Sequence, residues 1–351
     1  MKPFPLFKLP YLALKHVIVR LDFIKLALCS VKCYRIIKSM KLSIRTMTVI
    51  QNLYNRGVQL EFKRYFIYHW FFEALSLKMN SEEYGEHNRY NKNYFPAKCG
   101  SNPDENYVCA VECLVDFVRD LFKIDYIIYE IHESGFTNFR EYFLEQIVNR
   151  KNVCDEVSYG GYANEFRRFP MENSDLSFVL DNTPVGMELH LSGIMKNDFS
   201  YEKPLIQKNV MISAGKWLTL EHLYNSSYQR LLLDDHCKFT LQDYNLLVKK
   251  WVNYELQKDF ESVRIPIDFL VYDMNWFEDE KNLSILFDGL ELKEFDFSRN
   301  LRNYRRVPVG FYNPYKLKDI HRDDGMIASI SIHSENFAFR VWIPAKCRYY
   351  H

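Results

Sequence analysis

The sequence predicts an α/β chain with short helices at its N-terminus, an irregular strand/helix array through its middle and a β-hairpin at its C-terminal end. Three observations predict it. Between Val108 and Ile267, period-two alternation and helical periodicity replace one another repeatedly. Before that region, Phe4 to Met40 carries apolar residues at helical spacing, with Lys and Arg beside them. After it, polar and apolar residues alternate on both sides of Asp323-Asp324-Gly325, a strong hairpin turn signal.

The composition fits such a chain. Over 351 residues, 48% hydrophobic and 26% charged content is that of a globular protein and argues against disorder as the main state. With 25 Tyr and 27 Phe against 12 Gly, wide packed layers of aromatic side chains are expected. The net charge of +1 hides an asymmetry: residues 1–45 hold ten Lys and Arg against Asp22 alone, and the remainder is acidic. A basic N-terminal segment points to an acidic protein partner, nucleic acid or an anionic surface. Lys8, Lys15, Arg20 and Lys25 interrupt each apolar run before the ~20 residues a membrane span needs, so no membrane role is expected. The eight Cys are scattered without a CxxC, which suits reduced thiols and a cytoplasmic or nuclear location. Cys29 and Cys33, like Cys109 and Cys113, are spaced to share a helix face.

Taken in order, residues 1–45 read as a helical domain. Leu9-Pro10 opens a helix, since Pro is at home in a first turn. Leu14, Val17, Ile18 and Leu21 form its apolar face, and a second run over Phe23 to Met40 shows Ile24, Ala27, Leu28 and Val31. Residues 46–106 read as a transitional segment and polar linker; KRYFIYHWFFEALSL suits a buried strand or a buried helix, and periodicity does not separate the two. Residues 107–312 carry the array. Helices are expected at Cys113 to Phe122, along the stripe Phe139, Tyr142, Phe143 and Ile147, after a Ser174 cap, after a Thr219 cap with Leu220, Leu223 and Tyr224, and after a Thr240 cap with Asp243. Residues 313–351 read as the hairpin, with Phe337 to Ile343 as a third strand.

Strands start near 126, 155, 187, 210, 230 and 263, giving units of roughly 20 to 33 residues, the range of solenoids. Units this short suit an irregular leucine-rich-repeat-like stack of parallel strands better than a closed barrel. A doubly wound sheet is the rival, and no Gly-rich strand-to-helix turn supports it.

Catalytic chemistry finds little footing. Asp234-Asp235-His236 has ligand types without a ligand spacing, and no HExxH occurs. Ser192-Gly193 and Ser213-Ala214-Gly215 lack a nucleophile elbow and read as strand ends. Neither nucleotide-binding glycine motif is present, so no metal, cofactor or enzyme activity is expected. Arg299, Arg302, Arg305 and Arg306 around Tyr304 form a basic loop that could contact RNA. Trp251 fits the apolar stripe of its helix, and Trp217 precedes a capped helix. Trp276 and Phe277, between acids, are the aromatics expected to face a partner.

Two stretches resemble a known family. Leu9-Pro10, Leu14, Val17-Ile18 and Leu28-Cys29-Ser30, followed by RIIKS, resemble an F-box, and Lys216 to Val252 resembles the centre of the type 2 F-box-associated domain of nematode F-box proteins. That domain's likeness is best over 205–275. The resemblance implies that Leu9, Pro10, Leu14, Val17, Ile18, Leu28 and Cys29 dock on a Skp-type adaptor and through it on a cullin-RING ubiquitin ligase. It implies, too, that the array binds an unknown protein substrate. Two departures stand out: the connection between His16 and Leu28 is shorter than the family pattern, and Val252-Asn253-Tyr254 stands where the family commonly has Gly. The alternatives are an interaction module that has lost ligase coupling and an RNA-binding protein, the latter with less support.

Overall fold

The computed structural model describes residues 9–10, 26–27, 29–51, 56–62, 67–71, 103–132, 136, 138–150, 154–160, 162–164, 167–168, 170–234, 237–267, 279–296, 316–333 and 336–343. The chain forms two compact units, Met1–Phe139 with Asn152–Asp155, and Arg140–Lys151 with Glu156–His351.

In the first unit, helix α1 (Val31–Ser39) starts where Ser30, in extended conformation, accepts a hydrogen bond from the Cys33 N–H at 3.1 Å. It is followed by β1 (Ser43–Gln51), β2 (Arg56–Phe62) and β3 (Ile67–Phe71), an antiparallel meander. Helix α2 (Pro103–Leu121) leads into β4 (Lys123–Ile124) and β5 (Ile127–Ile131), both parallel to β1. Val111, Leu114, Val115, Val118 and Leu121 recur at helical spacing and are all buried, with α2 lying against β1 and β2. Tyr34 of α1 meets Phe117 of α2 with ring centroids 5.9 Å apart, beside a half-exposed Lys38–Asp120 pair worth at most about 1 kcal/mol.

This unit also buries polar groups. Gln51 is fully buried at the carboxyl end of β1, opposite Arg56 on β2 and Ile131 on β5, and neither atom of its amide has a hydrogen-bond partner. Arg56 and Glu112 are buried as well, and the Tyr129 hydroxyl donates to Glu112 at 3.3 Å.

The second unit begins within α3 (Phe139–Phe143), which runs on as a π-turn over Leu144–Val148. There follow β6 (Glu156–Tyr159), the short ribbon of β7 (Tyr162–Asn164) and β8 (Arg167–Arg168), then β9 (Pro170–Met171), α4 (Asn173–Asn182) and β10 (Glu188–Leu191). Next come β11 (Ile194–Met195), β12 (Asn209–Ile212), α5 (Leu220–Asn225), β13 (Arg230–Leu233), α6 (Leu241–Val252) and β14 (Ser262–Pro266). Helix α7 (Glu280–Phe287) and β15 (Leu292–Glu294) precede β16 (Lys316–His321), β17 (Ile327–His333) and β18 (Asn336–Val341).

The main sheet of this unit has the order β6-β10-β12-β13-β14-β18-β17-β16-β15. Its first five strands are parallel and succeed one another in chain order, with no reversal. From β18 onward every pairing is antiparallel. Across that junction one apolar row stays in register: Val157, Leu189, Val210, Leu231, Val263, Phe339 and Ile330, all buried. Each such side chain contributes about 1.5–3 kcal/mol relative to exposure. Helix α6 covers part of this face, with the Tyr244 ring stacked on Phe337 at 4.7 Å and Trp251 edge-on to Phe339 at 5.5 Å.

Local chemistry fixes the helix ends. Thr219 and Thr240 each start a helix by a reciprocal box, with His222 and Asp243 as the returning side chains. Gln207, fully buried, donates to the Leu180 and Thr183 carbonyls and so closes α4. Helix α6 ends with Tyr254 N–H on the Trp251 carbonyl and Glu255 N–H on that of Lys250, the Schellman pattern. That pattern wants a left-handed residue, and Tyr254 takes it at φ 63°. Arg322 stacks on Tyr254 and Trp251, its guanidinium 4.4 and 4.7 Å from the ring centres, and bonds the Trp251 carbonyl. At Gly160, with φ 108°, a Cβ would collide with the Gly193 backbone.

The structure corrects several expectations. The transitional segment of 46–106 contains most of β1 and all of β2 and β3, which closes the residue 1–45 helical reading at α1, since β1 begins at Ser43. Helix α2 starts inside the expected linker, and it and β5 belong to the first unit, so the second unit starts at Arg140 rather than 107. Ser174 is not a cap: Glu172 holds that position without a side-chain bond, and Ser174 sits in the first turn. Leu220 is exposed, while Leu223 of the same helix is buried. Cys29 is exposed and Cys33 buried, so the two do not share an environment.

Candidate docking face

Of the five parallel strands, β10, β12, β13 and β14 alternate in burial, whereas β6 is buried from Val157 through Tyr159. Parallel strands covered on both faces read as continuous apolar runs, because helices pack on either side. Here the odd and even positions differ: Leu189 and Leu191 are buried where Glu188 and His190 are half-exposed, and the same holds for Val210 and Ile212 against Asn209 and Met211. Leu231 and Leu233 are buried against half-exposed Arg230 and Leu232, and Val263 and Ile265 against half-exposed Ser262 and exposed Arg264. One face of the sheet is core; the other stays partly open to solvent.

The register assembles that open face into two rows. Glu156, Glu188, Asn209, Arg230, Ser262, Arg340 and Ser329 stand side by side in the first. Ser158, His190, Met211, Leu232, Arg264, Ala338 and Ser331 form the second. Asn209 donates to Glu188 at 2.7 Å, and the Arg230 Nε donates to Glu261 at 2.6 Å, with a second guanidinium nitrogen on the same oxygen. Arg264 reaches Asn336 at 3.4 Å. Toward the hairpin the face closes: Ser329 accepts from the Trp342 indole at 2.6 Å and donates to buried Asp319.

Just past the strand ends, Ser192 and Ser213 are buried and continue the parallel pairing through their N–H groups to the Tyr159 and Leu191 carbonyls. Both lie just past strand ends, as expected. Asp234, beyond β13, is exposed and accepts weakly from Ser213 at 3.5 Å, while Asp235 and His236 lie outside the described residues. Among the described residues, no group of three or more His, Cys, Asp or Glu is placed to hold a metal ion, and no helix is long and apolar enough to cross a membrane.

A second cluster lies between α5 and the segment before β12. Trp217, Phe199, Tyr201 and His222 pack ring against ring, with centroids 5.3 Å from Trp217 to Phe199 and from Trp217 to His222. Burial holds His222 below its ordinary range, opposed by the Lys203 backbone, the Glu221 charge and the Tyr201 backbone. All four rings are buried, so this is packing rather than a recognition surface.

Of the residues singled out from the sequence, Leu9 is half-buried, Pro10 exposed and Cys29 exposed. Leu14, Val17, Ile18, Leu28, Trp276, Phe277 and the Arg299 to Arg306 loop lie outside the described residues. Trp251 is buried on its helix stripe and Trp217 is buried ahead of α5. Sequence reasoning overlooked the open face itself, although its members are the polar partners in each strand's alternation. A scan against protein-family models finds no match to this chain, and searches of curated proteins and of solved structures also find none.

Proposed function

We propose that the chain is a substrate-recognition adaptor of a Skp-cullin-F-box ubiquitin ligase, whose N-terminal segment binds the Skp subunit and whose second unit binds the protein to be ubiquitinated. The observation that carries the binding half is the one-sided parallel sheet: the four successive strands β10, β12, β13 and β14 present a partly open face whose side chains include polar and charged ones in register. In this reading the second unit is an irregular leucine-rich-repeat-like array, a scheme that builds extended binding surfaces from short units. The Skp-coupling half is supported by the residue pattern from Leu9-Pro10 to Leu28-Cys29-Ser30 and by the +9 charge of residues 1–45, which suits an acidic adaptor.

Co-purification tests the coupling. The full chain retains a Skp subunit, and the Leu9→Ala/Pro10→Ala double variant loses it while unfolding at the same urea concentration. Equal recovery from both chains overturns the docking assignment. The shortened connection between His16 and Leu28 favours a second reading, a binding module uncoupled from the ligase; a folded parent chain that retains no Skp subunit selects it.

A further inference from the structure

The charges on the open face are sorted along its first row. Glu156 and Glu188 occupy the β6-β10 end, and Asn209 is neutral. Arg230 and Arg340 flank Ser262, and Arg264 lies two residues farther along β14 on the same side. Three guanidinium groups therefore share the β13-β14-β18 region, and Glu261 is the carboxylate bonded to Arg230 there. Asp234 is farther along, past the end of β13. Arg264 is exposed, and Arg230 is open enough to be reached, its side chain 30% exposed. Ser262 and Ala338 stand between the arginines, and because Arg340 is itself buried, Arg264 and Arg230 are the two that a partner reaches.

We propose that the β13-β14-β18 part of the open face receives an acidic segment of a partner protein, whose Asp or Glu carboxylates pair with Arg264 and Arg230. This rests on reading the second unit as a protein-binding array. A guanidinium fork matches a carboxylate geometrically, and such charge-assisted bonds are the stronger kind. The Glu156-Glu188 end repels the same segment, so the row fixes where an acidic stretch lies and which way it runs. Crowding of like charge is already present in the free chain: burial first, and then the Arg230 charge, lower the Arg340 pKa to about 10, with Glu261 opposing. An incoming carboxylate relieves that repulsion.

The test uses the full chain and a short fluorescein-labelled Asp/Glu-rich peptide, read by anisotropy. Its Asn/Gln counterpart and a single-stranded oligonucleotide serve as the other probes. The acidic peptide binds and weakens as salt rises from about 50 to about 300 mM, as exposed charge pairs do. Arg264→Glu weakens it at least about tenfold, the scale of one lost charge-assisted bond, with an unchanged urea midpoint. Arg230→Gln weakens it less, because Glu261 already occupies part of that guanidinium. The Lys203→Glu variant, in the loop before β12, binds as the parent does. Equal binding of the neutral peptide, indifference to Arg264→Glu, or no binding of the acidic peptide overturns the proposal, and tighter binding of the oligonucleotide reassigns the face to nucleic acid. Skp co-purification is read separately: loss of Skp with Arg264-dependent peptide binding removes the ligase reading alone, and Skp binding without peptide binding removes this proposal alone.

Discussion

The two units solve the same packing problem with different materials. In the second, residues in register across seven strands supply an unbroken apolar row from Val157 to Ile330, and buried Gln207 closes a helix through its amide nitrogen while only its amide oxygen lacks a partner. In the first, Glu112, Tyr129, Arg56 and Gln51 are all buried, and the Gln51 amide has no partner on either atom. An orphaned buried amide costs about 1–3 kcal/mol. Burial alone is therefore a poor guide to what a position contributes. Whether its polar atoms are satisfied decides the sign.

The largest effect that this contrast predicts is in the second unit. Phe337→Ala removes the ring stacked on Tyr244 and one of the largest fully buried side chains, and costs about 3–5 kcal/mol in urea unfolding. A loss below about 1 kcal/mol would break the contrast, because the apolar rows would then be redundant. A smaller effect of opposite sign is expected in the first unit. Gln51→Met keeps the volume, removes the orphaned amide and raises stability by about 1 kcal/mol. A loss of stability instead means that a water bonded to Gln51 belongs to that core.

The smallest effect is a dependence on pH. His222 prefers the neutral form more strongly when folded than when unfolded, since burial lowers its pKa below the ordinary 6.5. The unfolded chain then binds more protons in the window below that value, so the contribution is complete above about pH 6.5 and shrinks as pH falls toward the folded pKa. The groups facing the ring are Tyr201, the Lys203 backbone and Glu221, with Asp181 bonded to Tyr201 and Lys203 behind them. The His222→Gln variant flattens the slope between pH 7 and 5 in the urea midpoint, and an unchanged slope assigns the dependence to other groups.

The unequal legibility of the two units has a physical cause. In the second, Met187, Leu189 and Leu191 alternate cleanly, and Thr240 with Asp243 marks a helix start, so strands and helices are readable to within a residue or two. In the first, a register shift between Ile44 and Thr46 and the consecutive burial of Val49, Ile50 and Gln51 break the alternation of β1, and the strand hides within a stretch that reads as transitional. The open face was half legible. Each strand announced which residues point away from the core, but that Arg340 joins Arg230 and Arg264 depends on β18 returning to pair with β14, a contact that no local pattern carries.

The change of strand direction between β14 and β18 also constrains how this chain could have grown. Up to β14 each strand offers its neighbour the same parallel hydrogen-bonding edge, so a duplicated strand-helix segment inserted between β10 and β13 meets a matching template on both sides. Within the main sheet of the second unit, only β14 carries both edges, parallel toward β13 and antiparallel toward β18, so β14 is the single joint at which the repeating part of that sheet gives way to the C-terminal meander.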